Sequence, residues 1–286
     1  MATLRDIRRR IKTVRNIQQI TKALKMVATA RLQRAQTRAA ESRPYADEMQ
    51  SVMRRLATAT EGEITHPLLE VRNPVNIGIL LITSDRGMAG SYNTNILRKV
   101  TEIVAPLDKS HVKMITVGKK GRAFFTKRDY NIVGDFPMSS AEVGFGEARA
   151  VSRAIISMFE KAEVDLVYVV YTHFVSAMRQ VVVQNKLLPA IPPKQEATTA
   201  CEEYLFEPEP VELFGRLLPR YVDAQIYRAM LESLASEHGA RMTAMSSATD
   251  NARDMIDRLT LDFNRARQSA ITTELNEIVG GAEAQK

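Results

Sequence analysis

The sequence predicts an α/β protein: a long antiparallel coiled coil of the N- and C-terminal helices, with a central Rossmann-like, mostly parallel open-sheet domain. Three observations predict it. Near the C-terminus, Ala252, Ile256, Leu259, Phe263, Ala266 and Ala270 step alternately by four and three, the a/d seam of a coiled coil. A second helical seam runs through the opposite end of the chain, Leu4 to Leu56. Between the two, short apolar runs alternate with helical patterns, as in a sheet wound with crossover helices. The expected organisation is an N-terminal coiled-coil helix over 1–60, a central α/β foot over 70–205 and a C-terminal coiled-coil helix over 208–280. The two helices would form one discontinuous shaft.

In the first helix the apolar positions are Leu4, Ile7, Ile11, Val14, Ile17, Ile20, Leu24 and Val27. Consecutive steps of three after Val14 read as a stammer, which overwinds a coiled coil locally. Beyond Val27 the seam becomes small (Ala28, Ala30, Ala35, Ala39, Ala40), so two helices can approach closely. Pro44 removes an amide donor and predicts a kink, after which Tyr45, Met49, Val52, Met53 and Leu56 resume the helical signal. Gly62 and His66-Pro67 close the segment.

In the middle, Val75 to Thr83 reads as a buried parallel strand, followed by the loop SDRGMAGSYN and a helix from Asn93 to Ala105. Val112 to Val117 is a strand, Gly118 to Lys127 a short helix and Asn131 to Val133 a brief strand. Ser139 or Ser140 is the expected cap of a helix with Glu142 near its start and Ala148 to Lys161 as its body. Asp165 to Tyr171 and part of Phe174 to Leu188 complete the strands. The last helix enters through Glu207-Pro208-Glu209-Pro210, and bends where Gly215 and Pro219 weaken its first turns. Its seam carries on until Gly280 and Gly281, the expected stop. At about 1.5 Å per residue such a helix is on the order of 100 Å long, so its seam needs a partner.

The chain has 286 residues and a net charge of +7, yet residues 1–38 hold 11 Lys and Arg against one acid, Asp6. A basic helix implies an acidic partner, whether nucleic acid, membrane surface or acidic protein loop. No zinc-finger spacing, aromatic RNP-like pair or helix-turn-helix signal accompanies the charge, so nucleic acid is not expected. An amphipathic membrane-surface helix is the rival reading, and the length of the seam favours a coiled-coil strand with a basic outer face. No apolar run approaches the ~20 residues that cross a bilayer. The single Cys201 cannot close an internal disulfide and fits a reducing compartment.

Little in the chain suggests catalysis. Gly87 and Gly90 follow the first strand, where a doubly wound sheet binds phosphate, but neither G-x-G-x-x-G nor a P-loop is present. The expected role of this loop, with Asp85, Arg86 and Gly87 as its candidate residues, is a tight strand-to-helix turn in which Asp85 and Arg86 pair with each other or with a neighbour. His66, His111, His173 and His238 lack metal-ligand spacing, and there is no nucleophile motif. No catalytic residue, metal or cofactor is expected.

Five stretches carry a family resemblance: ITKALKMVATARLQRAQ (Ile20 to Gln36), SRPYAD (Ser42 to Asp47), TSDRGMAGSYN (Thr83 to Asn93), ASEHGARMTAMSSATDNA (Ala235 to Ala252) and ITTELNEIVGGA (Ile271 to Ala282). On them, the whole chain resembles the gamma subunit of a bacterial-type rotary (F-type) ATP synthase. The resemblance implies a non-catalytic central-stalk rotor whose partners are the alpha and beta subunits of the catalytic hexamer, the epsilon subunit and the c-subunit ring. It implies a location on the cytoplasmic face of the bacterial plasma membrane, held there through the complex. It places beta-subunit contacts on Arg265, Arg267 and Gln268, and makes Arg8, Arg9, Lys22, Lys25, Arg31 and Arg34 a basic face for acidic beta-subunit loops. The expected seam is Ile11, Val14, Leu24 and Val27 against Ala252, Ile256, Leu259, Phe263, Ala266 and Ala270. The cysteine-bearing insert of the chloroplast version is missing, so thiol switching is not expected.

Overall fold

The computed structural model describes residues 3–59, 66–139, 141–190 and 209–283. Cys201 and Glu207 lie outside the described residues. Ten main elements follow in chain order: α1 (Leu4–Ala59), β1 (Ile77–Ile82), α2 (Tyr92–Val104), β2 (Val112–Val117), α3 (Lys119–Thr126), β3 (Asn131–Phe136), α4 (Phe145–Glu160), β4 (Leu166–Phe174), β5 (Gln180–Leu188) and α5 (Pro210–Glu283). The chain divides into two compact units, one of residues 1–28 with 242–286, the other of residues 29–241.

The larger unit holds one five-stranded sheet in the order β3-β2-β1-β4-β5. β1 pairs in parallel with β2 and β4, and β2 with β3, while β5 returns antiparallel along β4. β1 is central and buried on both faces, which is why its sequence, IGILLI, is apolar without alternation. α2 lays Tyr92, Ile96, Val100 and Val104 onto the sheet, and with Ile79, Leu81, Met114 and Phe125 these form the core of one face. From Val222 to Arg241 α5 is buried on nearly every side, so apolar residues and polar ones such as Asp223, Glu237 and His238 are enclosed together there.

At Pro44 in α1, and at Gly215 and Pro219 in α5, the helix continues, as expected of positions that weaken a helix without ending it. Several element ends differ from expectation. α5 runs past Gly280 and Gly281 to Glu283, so those glycines do not end it. Ser139 accepts amides from Ala141 and Glu142 in a turn of its own, whereas α4 starts later, at Phe145, where the Glu147 carboxylate accepts the Gly144 amide at 3.3 Å. Ser140, the other expected cap, lies outside the described residues.

In the smaller unit α1 and α5 pair antiparallel. Arg8 stacks over the Phe263 ring, the Thr249 hydroxyl donates to Thr21 at 2.9 Å, and Lys25 Nζ donates to Ser246 at 2.9 Å, so numbers rise on one helix as they fall on the other. On α5 Ala252 is buried and Ile256, Leu259, Phe263, Ala266 and Ala270 are half-buried. On α1 the inward line starts with Ile7, Ile11 and Val14. The inward line continues through Gln18, Thr21, Lys25 and Ala28, a strict alternation of four and three without a stammer. Val27 is 49% exposed and Ala28 only 1%, Ile17 and Ile20 face outward, and Leu24 sits half-buried at the flank. A straight pair of helices keeps the regular heptad even when polar residues occupy it, because shifting to the apolar line would overwind both helices.

Candidate functional site

The loop after β1 sits where an open α/β sheet would admit a ligand: in this strand order the topological switch lies between β1 and β4. Here α5 fills that crevice. The Ser236 hydroxyl donates to the Thr172 carbonyl at the end of β4 (3.1 Å), and Arg241 Nη2 donates to the Gly87 carbonyl in the loop after β1 (3.2 Å). At Gly239 an added Cβ would stand 3.3 Å from the Phe174 ring and 3.4 Å from the Ala177 Cα, so helix and β4–β5 turn are in close contact.

The loop itself is fastened from three directions. Asp85 Oδ1 accepts the Lys119 amide at 2.9 Å and the Met138 amide at 3.4 Å, so this carboxylate caps the start of α3 instead of pairing with Arg86. The Ser84 amide and hydroxyl bond Asn93 of α2, and the same hydroxyl donates to the Arg86 carbonyl at 2.6 Å. Arg241 of α5 holds Gly87. Positive φ occurs at Met88 (61°) and Gly90 (54°), not at Gly87. Arg86 and Met88 are left exposed.

Behind the loop lies a buried polar cluster that sequence reasoning did not single out. Arg241 Nη2 donates to Glu237 Oε1 at 2.6 Å and Nη1 lies 3.2 Å from His238 Nδ1. Glu237 and His238 are essentially inaccessible and Arg241 nearly so. Burial pushes the Glu237 carboxyl above its ordinary range, and the Arg241 guanidinium opposes that shift. Asp85 and Arg31 also act on it, with opposite signs. Burial likewise raises the Tyr92 hydroxyl. The spacing of Glu237 and Arg241, one helical turn apart, was the available signal.

The cations expected on a basic face divide into two groups. Lys22, Arg34, Arg265 and Arg267 are exposed, as is Gln268. Lys25 is half-buried and bonded to Ser246, and half-buried Arg31 contributes to the field at Glu237, so these two serve interactions within the chain. Among the described residues no group of three His, Cys, Asp or Glu could hold a metal ion. None of the described helices is long and apolar enough to cross a membrane.

A switch point filled by the chain's own helix, in a chain that also forms a pair of long helices, defines a structural and mechanical class of subunit. The comparisons with known proteins make this particular. The family model described as ATP synthase matches residues 3–285. The ATP synthase gamma chain of Desulfitobacterium hafniense is 48% identical over 285 residues, 99% of each chain. That of Pelotomaculum thermopropionicum is 46% identical over 284 residues, again 99% of each. The chain belongs to the ATP synthase gamma-chain family, whose members are non-catalytic subunits of that complex. The fold is shared with a chain of the Tetrahymena thermophila mitochondrial ATP synthase central stalk and c-ring (24% identity, TM-score 0.63, 80% of this chain and 99% of that one). It is shared also with a chain of the Euglena gracilis mitochondrial ATP synthase OSCP/F1/c-ring assembly (18% identity, TM-score 0.67, 99% and 94%).

Proposed function

We propose that the chain is the central-stalk rotor of an ATP synthase, turning inside the hexamer of alpha and beta subunits and coupling ion flow through the c-ring to conformational cycling of the catalytic beta sites. The observation that carries this reading is the unequal length of the paired helices. Leu4 begins α1 close to the level of Ala266, yet α5 continues to Glu283, and on that extension Ile271, Leu275, Ile278 and Val279 form an exposed apolar stripe at helical spacing. A helix with such a stripe is stable in water only when something surrounds it. The exposed Arg265, Arg267 and Gln268 just before the stripe, with Lys22 and Arg34 on α1, suit polar and acidic loops of a beta subunit. Lys25 and Arg31, already engaged within the chain, take a smaller share.

In this reading residues 1–60 and 208–280 are the shaft and 70–205 the foot, which meets the epsilon subunit and the c-ring on the cytoplasmic face of the bacterial plasma membrane. The foot has a nucleotide-binding topology without a free nucleotide crevice, consistent with a part that transmits force and performs no chemistry. The test is the subunit composition of the complex purified through a tag on this chain. One copy per three alpha and three beta subunits is expected. Three or six copies per complex would overturn the rotor, because a single asymmetric axle is what makes three identical sites differ.

A further inference from the structure

We propose that Arg241 is a positioning residue that fastens the loop of Ser84 to Gly90 to the last helix, so that loop and α5 move as one body when the complex works; the consequence for coupling rests on the rotor reading above. Arg241 stands at the switch point of the sheet, and its guanidinium uses two edges. Nη2 bridges the Gly87 carbonyl and the Glu237 carboxylate, and Nη1 meets His238. A planar, always-charged fork can serve these acceptors together, whereas an ammonium on a flexible stem cannot hold the same three directions.

The loop's remaining bonds run elsewhere: Ser84 to Asn93 on α2, and Asp85 to the amides of Lys119 and Met138 beside the sheet. These tie it to the sheet and its helices. The polar bond described from α5 to the loop is the one made by Arg241. Glu237 keeps the guanidinium aimed, since a carboxylate 1% exposed at 2.6 Å removes most of its rotational freedom. The loop has a reason to need such fastening. Met88, a non-glycine residue, is held at φ 61° with its side chain 61% exposed, a conformation that persists only when the surroundings impose it. Loosening Arg241 would let Met88 relax and would move the exposed Arg86 with it.

The experiment uses the assembled complex carrying Arg241→Gln, Arg241→Lys or Glu237→Gln. Hydrogen exchange at the loop amides is the first readout. We expect exchange at residues 85–90 to accelerate at least tenfold in Arg241→Gln, with protection of α2 at Ile96 to Val104 unchanged. Arg241→Lys should fall between parent and Gln. ATP-driven ion pumping per ATP hydrolysed is the second readout, and it should drop at least threefold in Arg241→Gln while hydrolysis stays within twofold. Unchanged loop exchange would overturn the fastening whatever the fate of the rotor reading. Faster loop exchange with an unchanged pumping ratio would overturn its link to coupling. Loss of α2 protection in all three variants would mean a general structural role and would equally overturn the proposal. A wrong subunit ratio in the parent complex would sink the rotor reading and leave the exchange result standing.

Discussion

Gly118 offers the most demanding quantitative test of how the foot is built. It lies between β2 and α3 at φ 97°, where an L side chain is strained by roughly 1–2 kcal/mol. A Cβ there would stand 2.2 Å from the Thr83 carbonyl oxygen and 2.9 Å from its hydroxyl, so the backbone of β1 or the start of α3 must move. Thr83 is fully buried, and its hydroxyl accepts the Gly121 amide at 2.9 Å and donates toward the carbonyls of Val117 and Gly118 at 3.2 Å. Displacing these bonds costs on the order of 1–3 kcal/mol for the group left unsatisfied. Gly118→Ala should therefore destabilise the foot by about 2–5 kcal/mol, a large share of a typical stability of about 5–15 kcal/mol. With a urea slope of about 2 kcal/mol per molar, the midpoint in pulse proteolysis of the full chain should fall by roughly 2 M. Gly146→Ala is the internal control: its Cβ meets nothing within 4 Å inside α4, so it should be neutral or stabilising by up to ~1 kcal/mol. A fall of less than about 0.5 M for Gly118→Ala, or equal falls for both variants, would refute the reasoning.

The corrected seam on α1 predicts that Ala28→Asp costs several kcal/mol by burying a carboxylate, while Val27→Asp next to it stays within about 0.5 kcal/mol; denaturant midpoints of the two would rank them, and the reverse order would restore the stammer. Glu237 has a raised carboxyl, so the folded chain holds its proton more tightly than the unfolded one, and its contribution is greatest at low pH and lost as pH rises from about 4.5 through the raised value. The stability of the parent minus that of Glu237→Gln should accordingly decline across that window, and a difference that rises with pH would contradict the buried assignment. Ile271→Ser with Leu275→Ser should leave the stability of the chain within about 1 kcal/mol, since both positions are exposed, yet lower the yield of assembled complex; unchanged assembly would remove the surrounded-tip argument.

The bonds at the loop after β1 show where reading residues in order stops. SDRG could be placed between a strand and a helix from composition, because turn and strand preferences are local. That Asp85 caps α3 and Gly87 receives Arg241 depends on positions brought together from 34 and 154 residues away. The cluster of Glu237, His238 and Arg241 was legible only as a polar interruption in a helix. Nothing in its neighbours along the chain says that the helix is enclosed there on every side.

By itself the sequence determined the long helices, the strand identities and the parallel character of the sheet. Each of these follows from periodicities of two, three and a half, or from apolar runs, which a chain imposes on its own near neighbours. Only the tertiary structure decided which line of α1 faces inward. Ile17, Ile20 and Val27 are the more apolar choice, but Thr21, Lys25 and Ala28 find Thr249, Ser246 and close approach on the opposite helix. A buried polar residue is tolerable only when its partner is already there, and that partner lies more than two hundred residues along the chain.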